Sequence, residues 1–211
     1  MIMNNIKQEK MYNIRNTMAH VMAYAVKQIF GEVKFGIGSV TEDGFYYDFE
    51  LPRSLVPKDL SLIEEKMKNI INNGHQALNV TVSFDEARQR FSNQPYILEL
   101  VNELAQNPEN SGVSLCKIGE FAVLCQGPHV SSLKELSSQA FKLMHVSGAY
   151  WKGDAENPML QRIYGTAWES PDELNAYINK IEEASKRDHR TLGTQLDLFS
   201  SSQDIGQGLI L

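Results

Sequence analysis

Cysteine is scarce in this chain, with only Cys116 and Cys125 among 211 residues. Two thiols cannot form the disulfide framework of a small secreted fold, and this usage suits a reducing cytoplasm. No window approaches the ~20 consecutive apolar residues that a membrane-spanning helix needs. The N-terminus, MIMNNIKQEKMYNIR, has no apolar core and does not read as a secretory signal. Positive charge is also lacking: the net charge of −6 excludes nucleic-acid binding by bulk electrostatics. It leaves room for a small basic patch beside a pocket. Internal repeats and low-complexity tracts are absent.

What remains is an ordinary globular composition, 42% hydrophobic and 22% charged. Residues 1–12 read as a polar lead-in. From Ile14 to Ile29 the apolar positions recur at helical spacing, which predicts a helix with one buried stripe. Residues 34–40 and 44–51 read as a β-hairpin turning at Glu42-Asp43-Gly44, with Phe45, Tyr47 and Phe49 alternating against Tyr46 and Asp48. Pro57 to Asn72 reads as a second helix. Residues 79–84 predict a short strand, followed by a brief helix to Phe91 capped by Asp85. QNPENSG at 106–112 is a loop by composition. Strands follow near 113–118 and 120–125, joined at Gly119, then near 139–151 and 159–168. A long helix is predicted over 171–191. Helices beside antiparallel strands make the fold class α+β.

The residues that carry chemistry come in two four-residue spacings. His20 and Tyr24 lie one turn apart on a single helix face. Cys125 and His129 flank Gly127-Pro128, which dictates a turn rather than a helix. A turn can aim both side chains at one point. If the His20 face packs against it, polar side chains meet in one pocket. By themselves these spacings name no substrate, and a lone histidine on an apolar helix is more often structural than catalytic.

The longer strings are more specific. Phe35-Gly-Ile-Gly-Ser-Val-Thr-Glu-Asp-Gly-Phe-Tyr-Tyr-Asp48 resembles the hairpin that follows the editing helix of threonyl-tRNA synthetases. Leu124-Cys-Gln-Gly-Pro-His129 is similar to that family's L/M-C-R-G-P-H segment. Phe141-Lys-Leu-Met144, Gly148 to Asp154, and Met159 to Trp168 match the family almost letter for letter. So does Lys186 to Phe199, its linker helix. The resemblance runs over about residues 12–211. It implies the second-additional-domain (editing) fold of threonyl- and alanyl-tRNA synthetases over 13–170, a linker helix over 171–199, and a truncated start of the aminoacylation domain over 200–211. The small ubiquitin-like domain common ahead of it in bacterial members is not in this sequence.

The resemblance also implies an activity. A synthetase selective for threonine cannot fully reject serine, because one methyl group is worth only ~1–3 kcal/mol. A second pocket therefore hydrolyses the seryl ester on the tRNA(Thr) 3′ end. His20, Cys125 and His129 are the implied catalytic residues. Tyr24, Tyr46, Ile97, Val123, Gly127 and Tyr150 are the implied substrate and tRNA positions. Three of these depart from the family pattern. Tyr24 stands where a second histidine is expected, Ile97 where a lysine is, and Val123 where an aspartate is. Tyrosine, with a pKa near ~10, is no neutral-pH base. Isoleucine and valine cannot hold water. The implied site is therefore altered, and either weakened or inactive, or working through His20, Cys125 and His129 with rearranged water.

No cofactor is expected. His20, Cys125 and His129 would offer three zinc ligands with an open fourth position, but threonyl editing domains look metal-independent. ATP and zinc are expected only in the aminoacylation domain. The expected partner is the acceptor end of tRNA(Thr), with no membrane. A parent enzyme would dimerise through that missing domain, leaving this chain a monomer. The opposing functional reading is a non-catalytic tRNA-binding spacer.

Overall fold

A computed structural model describes residues 2–125 and 127–186. The chain divides into two compact units, residues 1–171 and 172–211, and each is described by itself.

The first element, α1, runs from Ile2 to Phe30. It extends back through the polar lead-in, where residues 6–10 are exposed, and Met11 is buried. From Met18 to Val26 the sequence is Met-Ala-His-Val-Met-Ala-Tyr-Ala-Val, with only two polar side chains. A helix apolar on all sides belongs inside a core. Accordingly Thr17, Ala19, Val21, Met22, Ala23, Ala25 and Val26 have no exposure. The single stripe predicted from spacing is thus too narrow, and α1 is the central rod of the domain.

Strands β1 (Lys34–Val40) and β2 (Phe45–Glu50) form the predicted hairpin. With β6 (Phe141–Tyr150) and β7 (Met159–Ala167) they build an antiparallel sheet of order β1-β2-β7-β6. The register sets Tyr46 opposite Tyr164, Tyr47 opposite Ile163 and Asp48 opposite Arg162. Phe45, Tyr47 and Phe49 point into the main core with α1. Gly44 is required where β2 meets β7, since a β-carbon there would sit 2.1 Å from the Gly165 carbonyl oxygen.

Helix α2 (Pro57–Asn72) occupies the predicted span. Strands β3 (Ala77–Val82), β4 (Val113–Ile118) and β5 (Phe121–Leu124) form a second antiparallel sheet, order β3-β4-β5. Helix α3 (Phe84–Arg90) is capped by Ser83, whose hydroxyl accepts the Glu86 N–H at 3.2 Å. The predicted cap, Asp85, instead lies in the first turn. Helix α4 (Pro95–Gln106) has no counterpart among the predicted elements, although Pro95 starts it and Ile97 and Val101 share its buried face at i, i+4.

Helix α5 (Pro171–Lys186) opens with Asp172 and Glu173 in its first turn, where negative charge meets the helix dipole. The remainder of the predicted 171–191 helix, most of the 186–199 motif and the 200–211 segment lie outside the described residues. Among the described residues no helix is long and apolar enough to cross a membrane.

Candidate functional site

The centre of α1 delivers His20 to a small cleft beside β1. Asn16, His20, Tyr47, Leu100 and Leu124 line it with the backbone-like surface of Gly36-Ile37-Gly38. Its volume is about 50 Å³, room for little more than a water molecule or two. Gly38 is needed here, because a β-carbon would lie 2.4 Å from the Tyr47 ring.

The turn after β5 meets α1 at the same place. The Cys125 N–H donates to Ser114 O at 3.0 Å, which prolongs the β4–β5 pairing by one residue. Gly127 then adopts φ +100°, a backbone closed to most side chains, and lies against the Tyr12 ring. Two consecutive residues of α1 clamp the segment from Pro128 to Val130. Asn16 Nδ2 donates to Pro128 O at 3.0 Å, and Thr17 Oγ1 accepts the Val130 N–H at 3.1 Å. Asn16 Nδ2 also lies 3.4 Å from His129 Nε2.

These contacts bring His20, Cys125 and His129 together. One nitrogen of each imidazole and the sulfur lie within 4.8 Å of one another. The two imidazole centroids are 4.8 Å apart. Cys125 Sγ is 3.3 Å from His129 Nε2, 3.5 Å from Nδ1, and 3.4 Å from Gly127 O. His20 retains 4% exposure, and neither ring nitrogen has a hydrogen-bond partner among the described residues. Burial, with the nearby His129, pushes its pKa down to about 3. Burial pushes His129 down to about 4 and the Cys125 thiol up to about 12. All three are therefore neutral at physiological pH. Charge separation into a thiolate–imidazolium pair is disfavoured on both partners, so this thiol is not an activated nucleophile. Two neutral imidazoles and a thiol can hold a water, or supply three ligands of a zinc ion with an open position.

The other candidate positions lie elsewhere. Tyr24 stacks on Phe121 at 5.0 Å with the rings 4° from parallel, a packing contact one turn of α1 beyond His20. Tyr46 faces away from Tyr47 because β2 alternates. It carries the Arg162 guanidinium over its ring at 3.9 Å and neighbours Tyr164. Ile97 and Val123 are each 1% exposed within the main core. Tyr150 is 45% exposed at the end of β6. Arg162 is held in a fork by Asp48 at 2.6 and 2.7 Å. Lys152 is bound to Glu99 and Glu103.

Sequence reasoning misses Asn16 and underuses Tyr47. The signal for Asn16 is present: it stands four residues before His20, the same spacing that leads forward to Tyr24. Tyr47 is legible in the alternation of the hairpin, which puts it on the side of Phe45 and Phe49.

Comparison with known proteins points the same way. Residues 113–164, which include Cys125 and His129, match the family described as threonyl and alanyl tRNA synthetase second additional domain. A threonine–tRNA ligase of Dehalococcoides mccartyi is 48% identical over 197 residues, covering 93% of this chain and 33% of the relative. One from Prochlorococcus marinus is 46% identical over 193 residues, covering 90% and 30%. One from Staphylococcus aureus is 44% identical over 210 residues, covering 100% and 32%. The chain spans about a third of the length of the relatives it matches. With that identity sustained along its whole length, the chain belongs to the threonyl-tRNA synthetase family, in the part that carries the second additional domain.

Proposed function

We propose that this chain is the editing module of a threonyl-tRNA synthetase, and that it hydrolyses the ester of mischarged seryl-tRNA(Thr) slowly, through an altered site. The observation that supports it is the convergence of His20, Cys125 and His129 within 4.8 Å of one another, with His20 lining the cleft and both its buried nitrogens unpartnered among the described residues. A buried polar group without a partner carries a penalty of ~1–3 kcal/mol. It persists where something outside the fold completes it. Water, and then the water-attacked ester, would do so. Neutral His20 accepts a hydrogen bond from the water and orients it. With a pKa of about 3 it is always available but a weak base, and proton-transfer efficiency falls as the base weakens. Slow turnover is the consequence. The partner in this reading is the acceptor end of tRNA(Thr), met by a monomeric module acting in the cytoplasm. The reaction uses no metal.

A second reading, a non-catalytic tRNA-binding spacer, has its own observation. The cleft is about 50 Å³, whereas small-molecule pockets run to ~300–1,000 Å³. The seryl ester enters only if the cleft opens.

Deacylation of seryl-tRNA(Thr) by the purified chain separates the two. We expect hydrolysis above the spontaneous rate, reduced at least ~100-fold by His20→Ala. A rate equal to the spontaneous one, with the tRNA still bound, would establish the spacer. Elemental analysis addresses the metal: the expectation is substoichiometric zinc and a rate unchanged by chelator. One equivalent of zinc that leaves together with the activity would replace the oriented water by a Lewis-acid route.

A further inference from the structure

Asn16 does more at this site than fill the helix turn before His20. Its amide nitrogen lies 3.0 Å from Pro128 O. A carbonyl oxygen can only accept, so the atom facing it is the NH2 group, not the amide oxygen. The same nitrogen is 3.4 Å from His129 Nε2. An NH2 group has two hydrogens and no acceptor capacity. Where this group meets Nε2 it can only donate, so Nε2 offers its lone pair to it. In a neutral imidazole only one nitrogen carries hydrogen, so the proton of His129 is on Nδ1.

The neighbouring thiol fits this arrangement. Cys125 Sγ is 3.5 Å from Nδ1 and can accept its N–H, while the S–H is 3.4 Å from Gly127 O. If the thiol turns its hydrogen to Nε2 instead, at 3.3 Å, Nε2 is still an acceptor. Either way the proton of His129 stays on Nδ1. Its Nε2 lone pair is capped, and among the described residues His20 keeps an imidazole lone pair without a partner at the cleft.

We propose that Asn16 is a positioning residue that locks His129 in the Nδ1–H tautomer and so reserves the acceptor role at this site for His20. The consequence for catalysis rests on the ester-hydrolysis reading; the tautomer does not. The anchoring of Pro128 ties the two parts together, because the hydrogen bond that fixes the turn is also the one that identifies which end of the amide faces the ring.

The test is long-range 1H–15N correlation of histidine-labelled full chain near neutral pH, read beside deacylation kinetics. The expected wild-type spectrum shows His129 with a protonated Nδ1 and a bare, hydrogen-bonded Nε2. In Asn16→Asp the side chain facing the ring offers only acceptors, and His129 is expected to switch to the Nε2–H form. In Asn16→Ala the expected result is a mixture of tautomers, with kcat down at least ~10-fold and KM little changed. A wild-type His129 protonated on Nε2 overturns the proposal without any variant, even if the variants fail to fold. So does a tautomer unchanged in Asn16→Ala or Asn16→Asp. The expected tautomers in a chain that hydrolyses nothing support the role of Asn16 and remove the ester-hydrolysis reading instead.

Discussion

Ile97 and Val123 stand where charged, water-holding residues were expected, and each is 1% exposed in the main core. Reinstating charge at either position would bury an ion among apolar neighbours. It would also forfeit the transfer energy of an aliphatic side chain, about 1.5–3 kcal/mol. Ile97→Lys and Val123→Asp are each expected to cost about 3 kcal/mol or more, seen as a lower urea midpoint, rather than to restore activity. A variant with unchanged stability and faster deacylation would show that these positions can open to the site. Tyr24→His is expected to change neither property by much, because the ring packs on Phe121 and not on His20. Gly127 is the opposite case. At φ +100° against Tyr12, an added β-carbon strains the turn that carries His129. Gly127→Ala should destabilise by ~1–3 kcal/mol and reduce hydrolysis through loss of geometry.

Elements follow the sequence where the local signal is strong. Pro57–Asn72 was legible to the residue because proline starts it and an apolar stripe runs through it. The hairpin was legible from its turn and alternation. Helix α4 was not, since its proline start is followed by a buried face of only Ile97 and Val101 with Tyr96, a shorter pattern than the stripe of α2. The breadth of burial of α1 was not legible either. Spacing identifies a helix, but two sheets closing around it are a tertiary fact. The site inherits both gaps. Its chemistry, His20 with Cys125 and His129, was readable, while the clamp by Asn16 and Thr17 needed the turn docked on the helix. The start of α2 offers a test of local physics. Asp59 accepts the Val56 N–H at 2.8 Å and a fork from Arg53, which hold its pKa down to about 2. Its contribution is fully present above the unfolded carboxylate pKa of ~3.9 and lost as pH falls toward about 2. Asp59→Asn should cost ~1 kcal/mol near neutrality. The difference from wild type should shrink below pH ~4, as read from urea unfolding of both proteins.

At the scale of the whole molecule, a buried and a half-buried neutral histidine set a pH response that bulk charge would not give. His20 and His129 are pushed down to about 3 and about 4 in the fold, from 6.5. Between those values the unfolded chain binds protons that the folded chain refuses. Stability therefore rises with pH through this window and is lost as pH falls below ~6.5, by up to ~1.4 kcal/mol per pH unit for each histidine. Generic electrostatics points the other way. The net charge is −6 at pH 7 and passes through zero near pH 5.4, so self-repulsion relaxes over the first part of the same descent. The histidine effect is the larger. Near pH 4.5 it amounts to roughly 5 kcal/mol for the pair, comparable with the whole stability of a small domain. We expect the urea midpoint to fall steadily from pH 6.5 to 4.5. His20→Asn should fall along about half that slope. A midpoint that stays level or rises toward pH 5.4 would mean that the two rings take up protons in the folded state, and that the cleft is wetter than its geometry indicates.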